Sequence, residues 1–144
     1  MTVRRLSKRC LSLALVGLIG CGGISLARAE GPALRADMIQ ALQSMQSQLE
    51  AGDDAAVATR AVDSASRLGG GNAADRWARA LFLQLAASAN AHQGNKSLAA
   101  DQLAEARRID DIPDARRLSW LRQEARLRLS GGQTRQGADL LTQW

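Results

Sequence analysis

The sequence predicts an all-α protein: about six antiparallel helices paired into three stacked hairpins, with a targeting leader in front. Three observations carry that expectation. Ala, Leu, Gln and Arg, all strong helix formers, dominate residues 30–144, tyrosine is absent, and the aromatics are one phenylalanine and three tryptophans. No alternation of apolar and polar residues persists long enough to read as a strand. Finally, Gly52, Gly94 and Gly132 recur at intervals of 42 and 38 residues, the spacing of a solenoid of helical hairpins.

The leader comes first. Met1 to Cys10 is basic, Leu11 to Gly20 is apolar but too short and glycine-rich to span a bilayer, and Ala27-Arg28-Ala29 is a small-x-small cleavage site. The expected division is a signal peptide over 1–29, cut after Ala29, and a helical domain over 30–144. Leu18-Ile19-Gly20-Cys21 competes, because it resembles the lipobox of bacterial lipoproteins, in which Cys21 becomes the lipidated first residue. The first reading gives an exported, periplasmic protein, the second an outer-membrane lipoprotein. Both cysteines, Cys10 and Cys21, lie in the leader, so a chain cut after Ala29 has no disulfide and no thiolate ligand.

The helices follow from apolar spacing. The first is expected over Ala33 to Ala51, with Leu34, Met38, Leu42, Met45 and Leu49 inward and Gly52 as its left-handed stop. The second runs to about Leu68 with Ala58, Ala61, Val62, Ala65 and Leu68 inward. Gly69-Gly70-Gly71 ends it, and Asn72 with Asp75 resembles a capping box. Ala74 to His92 is the expected central helix, with Trp77, Ala78, Leu81, Phe82, Leu85, Ala86 and Ala89 on one stripe. A fourth helix over Ser97 to Arg108 turns in Leu98, Ala99, Leu103 and Ala106. Pro113 opens a fifth, which runs to Ser130 with Leu118, Trp120, Leu121, Ala125 and Leu129 inward. The sixth begins near Thr134 and presents Ala138, Leu141 and Trp144, so Leu141 and Trp144 are expected either to fold back on helix five or to form an end interface.

Ala87 before Gly94, and Ala99, Leu103 and Ala106 after it, give a pattern that Ala125, Gly132, Gly137 and Leu141 repeat in the last hairpin. That pattern resembles tetratricopeptide repeats in a degenerate form, over about residues 38–144. The early Trp of that family is matched by Leu83 and Leu121, its Tyr is replaced by Asn90 and Arg128, and the repeats exceed 34 residues. The resemblance implies a scaffold that binds a protein or peptide, with roles in the assembly of cell-envelope machinery.

Chemistry of other kinds finds little to work with. His92 is the only histidine and extends the stripe of helix three, so capping or packing is its expected role, and neither a catalytic nor a metal site is assigned. No phosphate-binding glycine motif occurs, no cofactor is expected, and Asp53-Asp54 and Asp110-Asp111 lack the alternating ligands of a calcium loop. The chain is read as non-enzymatic.

Charge is more informative. The net charge of +5 suggests nucleic acid, but five of the 19 basic residues sit in the leader, and the other 14 face 14 acidic ones. Nucleic acid is therefore disfavoured as a partner, and membrane contact is expected only through the leader or a lipid anchor. Acidic residues dominate from Glu30 to Asp75, whereas eight arginines face four acidic residues from Ala106 to Arg135. Arg122, Arg126 and Arg128 are the candidates for binding an anionic partner, since the planar guanidinium pairs carboxylates and phosphates bidentately.

Overall fold

A computed structural model describes residues 31–143, and those residues are helical, with no strand among them. The order is α1 (Ala36–Glu50), α2 (Asp54–Arg67), α3 (Ala73–His92), α4 (Lys96–Arg108), α5 (Asp114–Ser130) and α6 (Thr134–Leu141). From α2 onward each helix packs chiefly on its neighbours in sequence, while α1 rests on α2 and α3. Helix α3 is thus flanked on several sides. Its burial goes well beyond the expected stripe, to Ala80, Leu83, Gln84, Ala87 and Asn90.

The expected glycines make the turns, and all three turns are built alike. Gly52, Gly94 and Gly132 have φ of 89°, 82° and 85°, a region that side chains with a Cβ rarely adopt. Each glycine N–H donates to the carbonyl three residues back, at Leu49, Ala91 and Leu129. The next N–H donates five residues back, to Gln48, Asn90 and Arg128. This pair of bonds is the Schellman motif, which satisfies carbonyls that a helix end otherwise leaves without donors. The residue whose carbonyl takes the longer bond also reaches, through its side chain, the helix on the other side of its turn. Arg60 donates to Gln48, Asn90 donates to Gln102, and Arg128 donates to Gln136.

The α2–α3 and α4–α5 connections use different devices. The Asn72 side chain accepts the Asp75 N–H at 2.9 Å, which caps α3 as the sequence suggested. Arg76 then joins two loops, donating to the Gly71 carbonyl at 2.6 Å and through Nε and Nη2 to Asp111. Asp111 carries φ of 61°, the one non-glycine residue described with positive φ, so Arg76 braces a strained corner. Arg117 covers the end of α4 by donating to the carbonyls of Arg107, Ile109 and Ile112 at 3.0–3.1 Å. Pro113 stands one residue ahead of α5, and its carbonyl accepts from Arg117.

Two apolar clusters result. The larger runs continuously from Met38 on α1 to Trp120 on α5, and the smaller holds only Leu121, Ala125 and Leu140. In the larger one the rings of Trp77 and Trp120 lie 6.2 Å apart, tilted by 30°. Gly137 allows the smaller one to form, because a Cβ there would stand 2.6 Å from Leu129 Cγ and 3.1 Å from the Ala125 carbonyl. Helix α6 can come this close to α5 only through a residue with no side chain.

Several inward assignments need correction. Val62 and Leu98 are exposed, as their helices turn Val57, Ala61 and Ala65, and Ala99, Ala100 and Leu103, to the core. Leu118 also faces out, at 47% exposure, while Leu129 is 38% exposed at the edge of its contact with Gly137. The sixth helix is turned by one residue from the expectation. Gly137 and Leu140 face α5, while Ala138 and Leu141 are exposed. Close approach at Gly137 selects this face over the 138–141 face.

Candidate interaction surface

Helix α5 divides its arginines between two tasks. Glu124 is buried in mid-helix with only 3% of its side chain exposed, and two guanidinium groups neutralise it. Arg107 of α4 donates from Nε to Oε2 at 2.7 Å, and Arg128, one turn on in α5, donates from Nε to Oε1 at 3.1 Å. Arg128 goes on to Asp101 at 2.9 Å, Gln133 at 3.0 Å and Gln136 at 3.2 Å, and so ties α4, α5 and the start of α6. Burial opposes its charge, but the hydrogen bonds it donates to Asp101 and Glu124, and the attraction of those carboxylates, outweigh that cost and hold its pKa above the ordinary arginine value. The stability that the cation contributes is therefore present throughout the neutral range, and is lost only as pH rises through that raised pKa.

Of the three arginines expected to bind an anion, Arg128 thus serves the interior of the protein. Arg122 and Arg126 are exposed one turn apart on the outer side of α5. With them stand Leu118 and Leu129, which share a stripe with Arg122 at spacings of four and seven. Helix α6 has eight residues against the seventeen of α5, and Leu140 reaches back only as far as Leu121. Leu118 is left beyond its cover. Leu141, at 47% exposure on α6, and Leu98, at 49% on α4, complete the exposed large apolar residues of this half of the protein. Trp144, Cys21 and Ala29 lie outside the described residues.

An open groove of about 650 Å³ lies at the glycine-turn end, where the start of α4 meets the end of α5. It is lined by Gly94, Asn95, Lys96, Ser97, Leu98, Ser130 and Gly131, and Lys96 Nζ donates across it to the Ser130 carbonyl at 3.4 Å. His92 has a structural partner, with Nδ1 2.9 Å from Asp54 Oδ1, a link from the end of α3 to the start of α2. Among the described residues no group of three or more His, Cys, Asp or Glu is placed to hold a metal ion, and no helix is long and apolar enough to cross a membrane.

Sequence reasoning missed the exposed leucines of α4 and α5 and the buried Glu124. One signal for the latter was present: Glu124 and Arg128 are four residues apart, and that spacing lets a salt bridge close within the helix. No protein-family model, curated protein or solved structure matches this chain.

Proposed function

We propose that this chain is an exported interaction scaffold of stacked, tetratricopeptide-like hairpins, which docks a protein partner on the outer face of its last helices. The observation that carries this reading is the distribution of exposed apolar side chains. Of the five large ones among the described residues, Leu98, Leu118, Leu129 and Leu141 belong to α4, α5 and α6, and Val62 belongs to α2. Scattered apolar residues need no explanation, but several on adjoining helices suit a contact surface. Arg122 and Arg126 would supply its rim, so the favoured partner has an apolar centre and acidic edges. The repeated Schellman turns support the hairpin part of the reading, because they set the same helix-to-helix connection three times.

The docking test is cross-linking in the native host, comparing the wild type with the double variant Leu118→Lys, Leu141→Lys, two leucines that are each 47% exposed. Both sites are exposed, so stability should change by less than about 0.5 kcal/mol per site, whereas the cross-linked partner should be lost. A partner retained by a folded double variant removes this face from consideration. Export rests on the leader and is checked separately, by intact mass of the protein from its host. The expected N-terminus is Glu30, with lipidated Cys21 as the alternative, and an intact Met1 rules out both.

A further inference from the structure

The three glycine turns give the chain an internal register. Gly52, Gly94 and Gly132 make the same pair of turn bonds. Residues 42 apart in the first two hairpins, and 38 apart in the last two, therefore hold corresponding places. Four of these places change their surroundings along the chain. In the first hairpin they are Met38, Leu42, Leu49 and Ala61, all buried, and α3 rests on both α1 and α2. In the second they are Ala80, Gln84, Ala91 and Leu103, of which three are buried and Ala91 packs against the core. Helix α5 rests on α4 there, and its Trp120 meets Trp77. In the third hairpin they are Leu118, Arg122, Leu129 and Leu141, and all four reach solvent, Leu129 beside its contact with Gly137. These leucines stand where each earlier hairpin receives the next helix. Leu98 is the contrast, because its counterparts Ala56 and Gln136 are exposed too, so that place faces solvent in every hairpin.

The same register indicates what fits the seat. On α1, before which no helix is described, Gln40, Gln43, Ser44 and Ser47 form an exposed polar row. Their counterparts on α3 are Phe82, Leu85, Ala86 and Ala89, all buried. On α5, Trp120 and Glu124 are buried, and Gln123 and Leu127 are half-buried. A helix that settles on the preceding hairpin thus inserts this row, spaced i, i+3, i+4 and i+7. A second copy of the chain suits the seat poorly. Its α1 would offer the polar row, and a two-fold pair would set Arg122 and Arg126 of one copy against those of the other.

We propose that the outer face of α5 and α6 receives an amphipathic helix of another protein, which adds a seventh helix to the six of this chain. The proposal rests on the docking face described above and names its occupant. That helix carries two large apolar residues and two small ones in the order of the α3 row, with acidic residues opposite Arg122 and Arg126. The leucines supply the contact area, and the arginines set the orientation and exclude basic helices.

The probe is a fluorophore-labelled, hydrocarbon-stapled helix with Phe, Leu, Ala and Ala in that spacing and glutamates on its flanks. Its binding to the full chain is read by anisotropy. Leu118→Lys with Leu141→Lys should weaken binding by about tenfold or more, and Leu98→Lys by less than about twofold. Arg122→Glu with Arg126→Glu should weaken the glutamate probe and favour a lysine-flanked one, a reversal that misfolding does not produce. If the leucine variant does not fold, as judged by circular dichroism, this charge reversal decides. No binding by the glutamate probe, equal binding by the folded leucine variant, an equal loss in Leu98→Lys, or no reversal would each overturn the proposal. So would a dimer, seen by sedimentation, that Leu141→Lys disperses, or a probe that binds only after Trp144→Ala. A probe that fails while the leucine variant still loses its native cross-link removes the helix and keeps the docking face. A native cross-link retained by that variant removes the face itself.

Discussion

Trp120→Ala is expected to lower stability by about 3–5 kcal/mol, a large share of what a domain of this size possesses. Trp120 is fully buried at the far end of the continuous core, and its ring faces that of Trp77. Removing it opens a cavity between α3 and α5 and takes away the tilted ring pair, which adds about 0.5–1.5 kcal/mol beyond area burial. The indole also carries a defect, since Trp120 Nε1 is buried with no acceptor. Trp120→Phe keeps most of the packing and deletes the unsatisfied donor, and that gain offsets part of the lost ring volume. The alanine variant should therefore fall far below the phenylalanine variant in urea melts with unchanged slope. Equal losses in the two would mean that packing against Trp77 contributes little.

Glu124→Ala is the second large effect, at about 3–5 kcal/mol, and its mechanism is opposite in kind. The loss comes less from the missing carboxylate than from what it leaves behind. The Arg107 and Arg128 side chains are 20% and 11% exposed, and without Glu124 they face each other with only Asp101, at the surface, to neutralise them. The triple replacement Arg107→Met, Glu124→Leu, Arg128→Met removes all three charges and should recover most of the loss, since desolvating an ion network opposes its own attraction. A Glu124→Ala protein within about 0.5 kcal/mol of wild type would show that water reaches the site.

The contrast between these two residues explains how far the sequence could be read. Helix number and turn positions were legible because glycine is needed at positive φ, and Gly52, Gly94 and Gly132 are all found there. The faces of α1 and α3 were legible because their apolar residues recur at helical spacing and are buried. Helix α5 was not, since part of its inward face is Glu124 and Arg128, polar side chains that become compatible with the interior only through partners on α4 and α6. Apolar periodicity cannot register a charge neutralised from another helix. It therefore assigned Leu118 and Leu129 to the interior, although α6 is too short to cover the first. In α6 itself, residues 137 and 140 and residues 138 and 141 offered two equivalent registers. The deciding quantity was the distance of closest approach at Gly137, which belongs to the packed pair of helices.

The separation of the two apolar clusters sets how the protein opens. Among the described residues, helix α6 contributes nothing to the core that runs from α1 to α5, and its apolar face rests on Leu121 and Ala125 through Leu140 and on Leu129 through Gly137. Its release exposes that small cluster and leaves the tryptophan pair and the α1–α4 packing undisturbed. Amide protons of α6 therefore exchange with solvent through a partial opening that costs much less than global unfolding, whereas those of α3 wait for the whole molecule. The helix that borders Leu129 can thus come away without the main core, and any chain that settles over that leucine sets how long α6 stays in place.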